Sequence, residues 1–445
     1  ISAPKAIAMG SPTMPVPGIP TPIAFLRMLA LRRASTFTGV VPRISVALAV
    51  AKAKEIIGED VDRIEMYLSK NIIKNAMGVG IPGTGMIGLP IAISLGVVCG
   101  ESSKELQVLD NAKDNVDKAK EWLSSHEIKI EVAKTSEKLY IECRCYGNKN
   151  YSKVIIAQNH LNFIHIQEGE NVILHKELEK ETATQNNNNT FIVDTLCAQE
   201  IFDYATKTDI NFLEWIYQTV EINDKIGQEG LTNDYGLGIG KQLNKIAQGD
   251  IRKQVIAKSC AASDARMDGA TLAVYSNSGS GNQGLTCTLP VYEYGRLTNK
   301  TKEEIIRALT LSHLMSIYIK NKIGRLSALC GIVNASMGAA AGITLLKGGG
   351  IYQMCYAIRN MINTITGMAC DGAKPSCSLK VSTGLNSAFD SALLAMNNMV
   401  VDQTDGIAEE DIDRSIENLG KIGRFGMDQM DDLVLEIMLD KSCKQ

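Results

Sequence analysis

Cys370-Asp371-Gly372-Ala373-Lys374-Pro375-Ser376-Cys377-Ser378-Leu379-Lys380 is the stretch around which the chain is organised. It places two cysteines in a tight Gly/Pro turn. Upstream, Arg325-Leu-Ser-Ala-Leu-Cys330-Gly331 sets a third cysteine on a helical pattern. Three thiolates, from Cys330, Cys370 and Cys377, can hold an iron–sulfur cluster that serves as a Lewis acid. Spacing alone favours the plainer reading, three buried and inert thiols, because free cysteine packs as a small hydrophobe.

Working outward, the 445 residues are too many for one small core and predict two or three domains. With 45% hydrophobic and 21% charged residues, the composition is that of an ordinary globular protein. Aromatics are scarce while glycines number 38, which favours close backbone approaches over aromatic binding surfaces. A net charge of −3 without like-charge blocks argues against a nucleic-acid partner. The eleven cysteines lack a disulfide-type spacing and no secretory signal is visible, so reduced thiols and a cytoplasmic location are expected. The uncharged run Leu326–Leu346 contains Gly338-Ala-Ala-Ala-Gly342 but few large apolar residues, and is read as a buried helix rather than a membrane span.

In chain order, residues 1–38 are Pro-rich and expected to be a poorly ordered or non-native leader. Residues 39–295 are predicted to be an α/β domain of mixed (α+β) character, and 296–445 a mostly helical one. Helices are expected over Ser45–Ile57, Lys104–Ser125 and Cys197–Ile222. Alternation at Ile64/Met66/Leu68, Ile128/Ile130/Val132 and Leu139/Ile141/Cys143/Cys145 predicts strands, with more near Val154 and Asn162. Cys143 and Cys145 share one strand face and are read as packed core; His160, His165 and His175 are read as surface strand residues. Gln185–Asn189 is taken as an exposed linker. Two glycine-rich stretches stand apart. Lys74-Asn75-Ala-Met-Gly78-Val-Gly80-Ile-Pro82-Gly83-Thr84-Gly85 exposes backbone N–H groups suited to an anion but lacks a phosphate-loop ending. Asn277-Ser278-Gly279-Ser280-Gly281-Asn282-Gln283-Gly284 offers small polar groups for a carboxylate and an amine, or is simply a polar loop. Thr301-Lys-Glu-Glu304 fits a capping box opening a helix that carries His313.

Together these three motifs resemble the iron–sulfur serine dehydratase-like family, most closely its L-cysteine desulfidase group, whose chains end in a serine dehydratase α-chain domain. The likeness covers about residues 39–440. It implies a lyase that uses a [4Fe–4S] cluster and no pyridoxal phosphate, with a small amino acid as substrate. Three cysteines would bind the cluster and one iron would stay open. Elimination from L-cysteine would give pyruvate, ammonia and sulfide; from L-serine, pyruvate and ammonia. Asn75, Thr84, Ser278, Ser280 and Asn282 become the expected substrate cradle. His313, whose ordinary pKa suits proton transfer, is nominated as the base, with Lys374 as the second catalytic nominee; Lys374 and Lys380 are nominated alternatively to meet charge at the cysteines or to hold the substrate carboxylate. No membrane partner is expected, and a homo-oligomer is admitted. One departure stands out: the desulfidase group carries Gly-Cys-Thr-Glu-Pro where this chain has Gly39-Val40-Val41-Pro42-Arg43. Valine cannot ligate iron, so either Cys377 completes the set or the chain is an inactive relative; Cys443 is a remote further candidate.

Overall fold

The computed structural model describes residues 36–37, 41–178, 196–324 and 327–442. The leader expected over residues 1–38 lies outside these apart from Thr36 and Phe37, as do Val40, the polar run 185–189 and Cys443.

A short strand β1 (Thr36–Phe37) leads to helix α1 (Val41–Ile57), which starts four residues earlier than Ser45. Its Ala-Val sequence lets it bury nearly all round: Val46 to Ala51 are all fully buried. It lies on a six-stranded sheet of order β3-β2-β4-β5-β6-β7, formed by β2 (Arg63–Leu68), β3 (Glu127–Val132), β4 (Tyr140–Tyr146), β5 (Tyr151–Ala157), β6 (Phe163–Glu168) and β7 (Asn171–His175). Only β2 and β3 run parallel. That parallel pair requires a crossover, supplied by α2 (Lys70–Ala76), α3 (Leu89–Cys99) and α4 (Val116–Ser125). Ile64, Met66 and Leu68 all face the core, as their alternation predicts, and Ser152 Oγ donates to Ala53 O at 2.7 Å, tying β5 to α1. Cys143 and Cys145 lie on that buried face, their sulfurs 3.7 Å apart.

The rest is helical: α5 (Ala198–Lys207), α6 (Gln218–Thr232), α7 (Ile239–Lys245), α8 (Ile251–Asp268), then strand β8 (Val274–Tyr275), which pairs with β1. Next come α9 (Gly281–Leu297), α10 (Lys302–Ile323), α11 (Gly331–Leu346), α12 (Ile351–Ile365), α13 (Cys377–Met396), α14 (Ile412–Lys421) and α15 (Asp428–Ser442). The capping box is present: Thr301 Oγ1 accepts the Glu304 N–H at 3.2 Å, and Glu304 Oε2 accepts the Thr301 N–H at 2.8 Å. Helix α11 sits at the centre, against α9, α10, α12 and α13. Its small residues explain how: a Cβ on Gly342 would lie 2.8 Å from Ala308 O, and one on Gly338 would strike Ser312 O. Among the described residues no helix is long and apolar enough to cross a membrane.

One apolar cluster gathers residues from Ile44 to Ile166 together with Leu435; a second gathers residues from Leu196 to Met427. The boundary read from sequence at 295 cuts through the second cluster. The α+β class stands, with a mixed sheet in the N-terminal part and helices after it.

Candidate active site

The chain between α10 and α11 forms an isolated antiparallel bridge, Leu329 to Ala369, with the segment after α12. Cys330 N–H donates to Met368 O at 2.9 Å and Cys370 N–H to Ala328 O at 2.6 Å, so the two cysteines are fixed diagonally across the bridge, each one residue beyond the paired Leu329 and Ala369. Cys330 caps α11 and Cys377 opens α13, which directs two helix N-termini toward the thiols. Burial pushes the Cys330 thiol up to about 12, and Cys370 adds to this; the Ile332 N–H and Lys380 pull it back. Burial also raises the Cys377 thiol, which donates to Gly372 O at 3.7 Å and packs on Val79 and Met267. Burial would raise the Asp371 carboxyl, but hydrogen bonds from Lys374 and Lys380 hold it down at about 2.

The first glycine-rich loop reaches this turn, and the second reaches the start of α11 beside Cys330. In the first, Gly80 N–H donates to Met267 O and Gly83 N–H to Gly269 O, each at 3.0 Å, docking the loop on the end of α8. A Cβ on Gly78 would lie 3.2 Å from Ala373 O, and one on Gly372, whose φ is +92°, would strike Lys74 O. Loop and cysteine turn therefore touch backbone to backbone. Arg43, fully buried, donates to Ala76 O and Val79 O and fixes the loop from behind. Asn75 and Thr84 bond within their own segment, to Asn71 O and Ile81 O, both at 2.8 Å.

In the second loop, Ser278 has φ +51° and donates to Asn277 Oδ1 at 2.9 Å. Ser280 caps α9, and Asn282 Oδ1 accepts from Arg266 Nη1 at 3.1 Å. Burial lowers the Arg266 guanidinium to about 10, while the nearby Cys377 thiol favours its charge. Gly331 leaves room for the Gln283 amide, which accepts from Asn334 Nδ2 at 2.8 Å; this ties the loop to the start of α11, next to Cys330. His313 stands behind the loop, not at the cysteines. Its Nδ1 accepts from the Asn277 amide at 3.2 Å, which leaves Nε2 to donate to Thr288 Oγ1 at 3.0 Å; burial lowers its pKa to about 3.

Two buried lysines are not nominated from sequence, although Lys74 opens the first glycine-rich motif. Lys74 is 2% exposed; it pairs with Asp431 of α15 and donates to Cys370 O at 3.3 Å. Lys320 is 8% exposed; burial lowers its pKa to about 8, against the pull of Cys370 and Cys330.

The sequence pattern of the family described as serine dehydratase alpha chain matches residues 103–436, three quarters of the chain. The chain belongs to the serine dehydratase alpha chain family. Relatives of this family member include UPF0597 proteins of Bacteroides fragilis (44% identical; 91% of this chain and 95% of the relative) and Phocaeicola vulgatus (46%; 91% and 95%). A UPF0597 protein of Clostridium perfringens is 38% identical over 91% and 95% of the two chains. The family is related to the iron–sulfur serine dehydratase-like proteins. Among the described residues, no three His, Cys, Asp or Glu side chains close on a point as a single-ion site requires. A metal–sulfur cluster spreads its thiolates more widely, and here three thiols feel one another's charge amid Lys320, Lys380 and Arg266. Soft donors in a cationic surrounding fit an anionic, thiolate-held cluster.

Proposed function

We propose that this chain is a pyridoxal-independent lyase that removes the β-substituent of a small amino acid, converting L-cysteine and water to pyruvate, ammonia and sulfide. L-Serine, which would yield pyruvate and ammonia, is the alternative substrate. Cys330, Cys370 and Cys377 would hold a [4Fe–4S] cluster. When bound, that cluster supplies a Lewis acid for the departing sulfide or hydroxide, a poor leaving group by itself. The observation that supports this reading is the bridge that fixes Cys330 and Cys370 on facing segments, with the first glycine-rich loop packed backbone to backbone on the turn that leads to Cys377.

The protein's own groups would do the rest. Backbone N–H groups of the loops, with Asn75, Thr84, Ser278, Ser280 and Asn282 beside them, would bind the substrate's carboxylate and amine. Lys374, at the turn and paired with Asp371, is the nominee for proton transfer that stands nearest the cysteines. His313, with both ring nitrogens bonded, acts through Asn277 by holding the second loop. The N-terminal and helical parts both contribute, so the substrate would sit where the two apolar clusters meet.

Anaerobic reconstitution with iron and sulfide should turn the protein brown and yield pyruvate from L-cysteine or L-serine; colourless protein sinks the reading. Valine at position 40 favours one competing view, an inactive relative that only binds the amino acid. That view requires thermal stabilisation by L-cysteine or L-serine without pyruvate.

A further inference from the structure

His165 and His175 take no part in the chemistry above. They are 10 residues apart in the chain, without a metal-ligand spacing. The β6–β7 hairpin makes them direct partners across the strand pair, and their Nδ1 atoms lie 3.2 Å apart. Register brings together what spacing does not.

A short chain of bonds fixes the state of the inner ring. Gly169 O can only accept, so the Gln167 side chain turns its NH₂ group toward it, at 2.6 Å; the same group donates to Tyr151 Oη at 3.2 Å. Gln167 Oε1 is left facing His165, where it accepts from Nε2 at 2.9 Å. A neutral His165 protonated on Nε2 carries its lone pair on Nδ1, toward His175. An imidazole whose far N–H is held by a carbonyl oxygen is in the usual state of a metal ligand.

We propose that His165 and His175 form a two-imidazole site for a divalent transition-metal ion such as zinc, with Gln167 as its positioning residue. Zinc binds imidazole nitrogen at about 2.0–2.1 Å, so two nitrogens 3.2 Å apart subtend about 100° at the ion, close to a tetrahedral angle. The exposed His175 ring turns to bring its lone pair onto that point, and its proton then sits on Nε2. Water fills the remaining positions. A bound ion clips the edge strand β7 to β6. None of this depends on the lyase reading.

The chain has five histidines, so isotope labelling of their rings gives few enough NMR signals to follow each one. Zinc is added in a few molar equivalents to the metal-free full chain at neutral pH. The ring nitrogens of His165 and His175 should move to metal-bound positions, while those of His126, His160 and His313 stay. Zinc held by thiols alone moves no ring nitrogen, so the eleven cysteines do not confuse the result. His175→Gln should abolish the shift at His165. Gln167→Leu, which releases the inner ring, should weaken binding about ten- to a hundredfold. Without metal, both variants should melt as the parent does. Unmoved nitrogens at His165 and His175 overturn the proposal and leave the pair a plain hydrogen bond. So does an equal response at His126 or His160, which would mean adventitious binding at the surface. Unchanged affinity in Gln167→Leu overturns the role given to Gln167.

Discussion

His313 and Asp264 respond to acid in opposite senses. Burial lowers the His313 pKa to about 3, below its unfolded value of 6.5, so its neutral form contributes stability above pH 6.5 that is lost as pH falls toward 3. Burial raises the Asp264 carboxyl to about 6 although its Oδ2 accepts the Gly240 N–H at 2.9 Å, so this group adds stability as pH falls from 6 toward 3.8. Each is worth at most about 1.4 kcal/mol per pH unit, and between about pH 6 and 4 they oppose. Urea unfolding at pH 7, 6, 5 and 4 should therefore find that His313→Gln gains stability, relative to the parent, as the medium is acidified. Asp264→Asn should lose it over the same range. A parallel response of both variants would mean that these groups do not titrate as placed. Sequence could nominate His313 for its chemistry because every free histidine titrates near neutrality. Its burial comes from the packing of α10 against α9 and α11, which the sequence of α10 by itself does not reveal.

Alternation of apolar and charged residues made β2, β3 and β4 legible; the apolar face is buried in β2 and β4, while in β3 Ile128 and Ile130 are half-buried and Val132 is exposed. Strand β7 went unread: Asn171–His175 is largely exposed on both faces, so no period of two appears. The expected helix over Lys104–Ser125 is two 3₁₀ turns before the short α4, and that over Cys197–Ile222 breaks between Lys207 and Gln218. Both stretches have polar-faced patterns that a series of turns satisfies as well as one helix. The glycine-rich loops could be located by composition, but their glycines serve chiefly as places where backbone meets backbone. This separates two substitutions. Gly338→Ala drives a methyl into Ser312 O and should force α10 from α11, with a loss of about 2–4 kcal/mol in chemical denaturation. Gly238→Ala meets nothing within 4 Å and bears only its φ of +65°, so about 1–2 kcal/mol is expected. Equal losses would show that the α10–α11 contact has room to give.

Across the whole molecule, α15 belongs in space to the part made first. Leu435 joins the apolar cluster of α1 and the sheet, and Asp431 meets Lys74 at the head of the first glycine loop. Removing one partner of so buried a pair costs about 3–5 kcal/mol, whereas replacing both with apolar groups can be nearly neutral. Lys74→Met should accordingly expose α15 to limited proteolysis, and the double variant Lys74→Met/Asp431→Leu should restore most of the protection. If the single variant resists protease as the parent does, the pair does not hold α15 in place. The direction of synthesis gives this clasp a further meaning. Helix α15 leaves the ribosome after everything it touches, so Lys74 waits for its aspartate while the sheet, both loops and the cysteine turn are already outside. Throughout that interval Lys74, which donates to Cys370 O, lacks its acid partner, and it gains that partner only when α15 folds back onto α2.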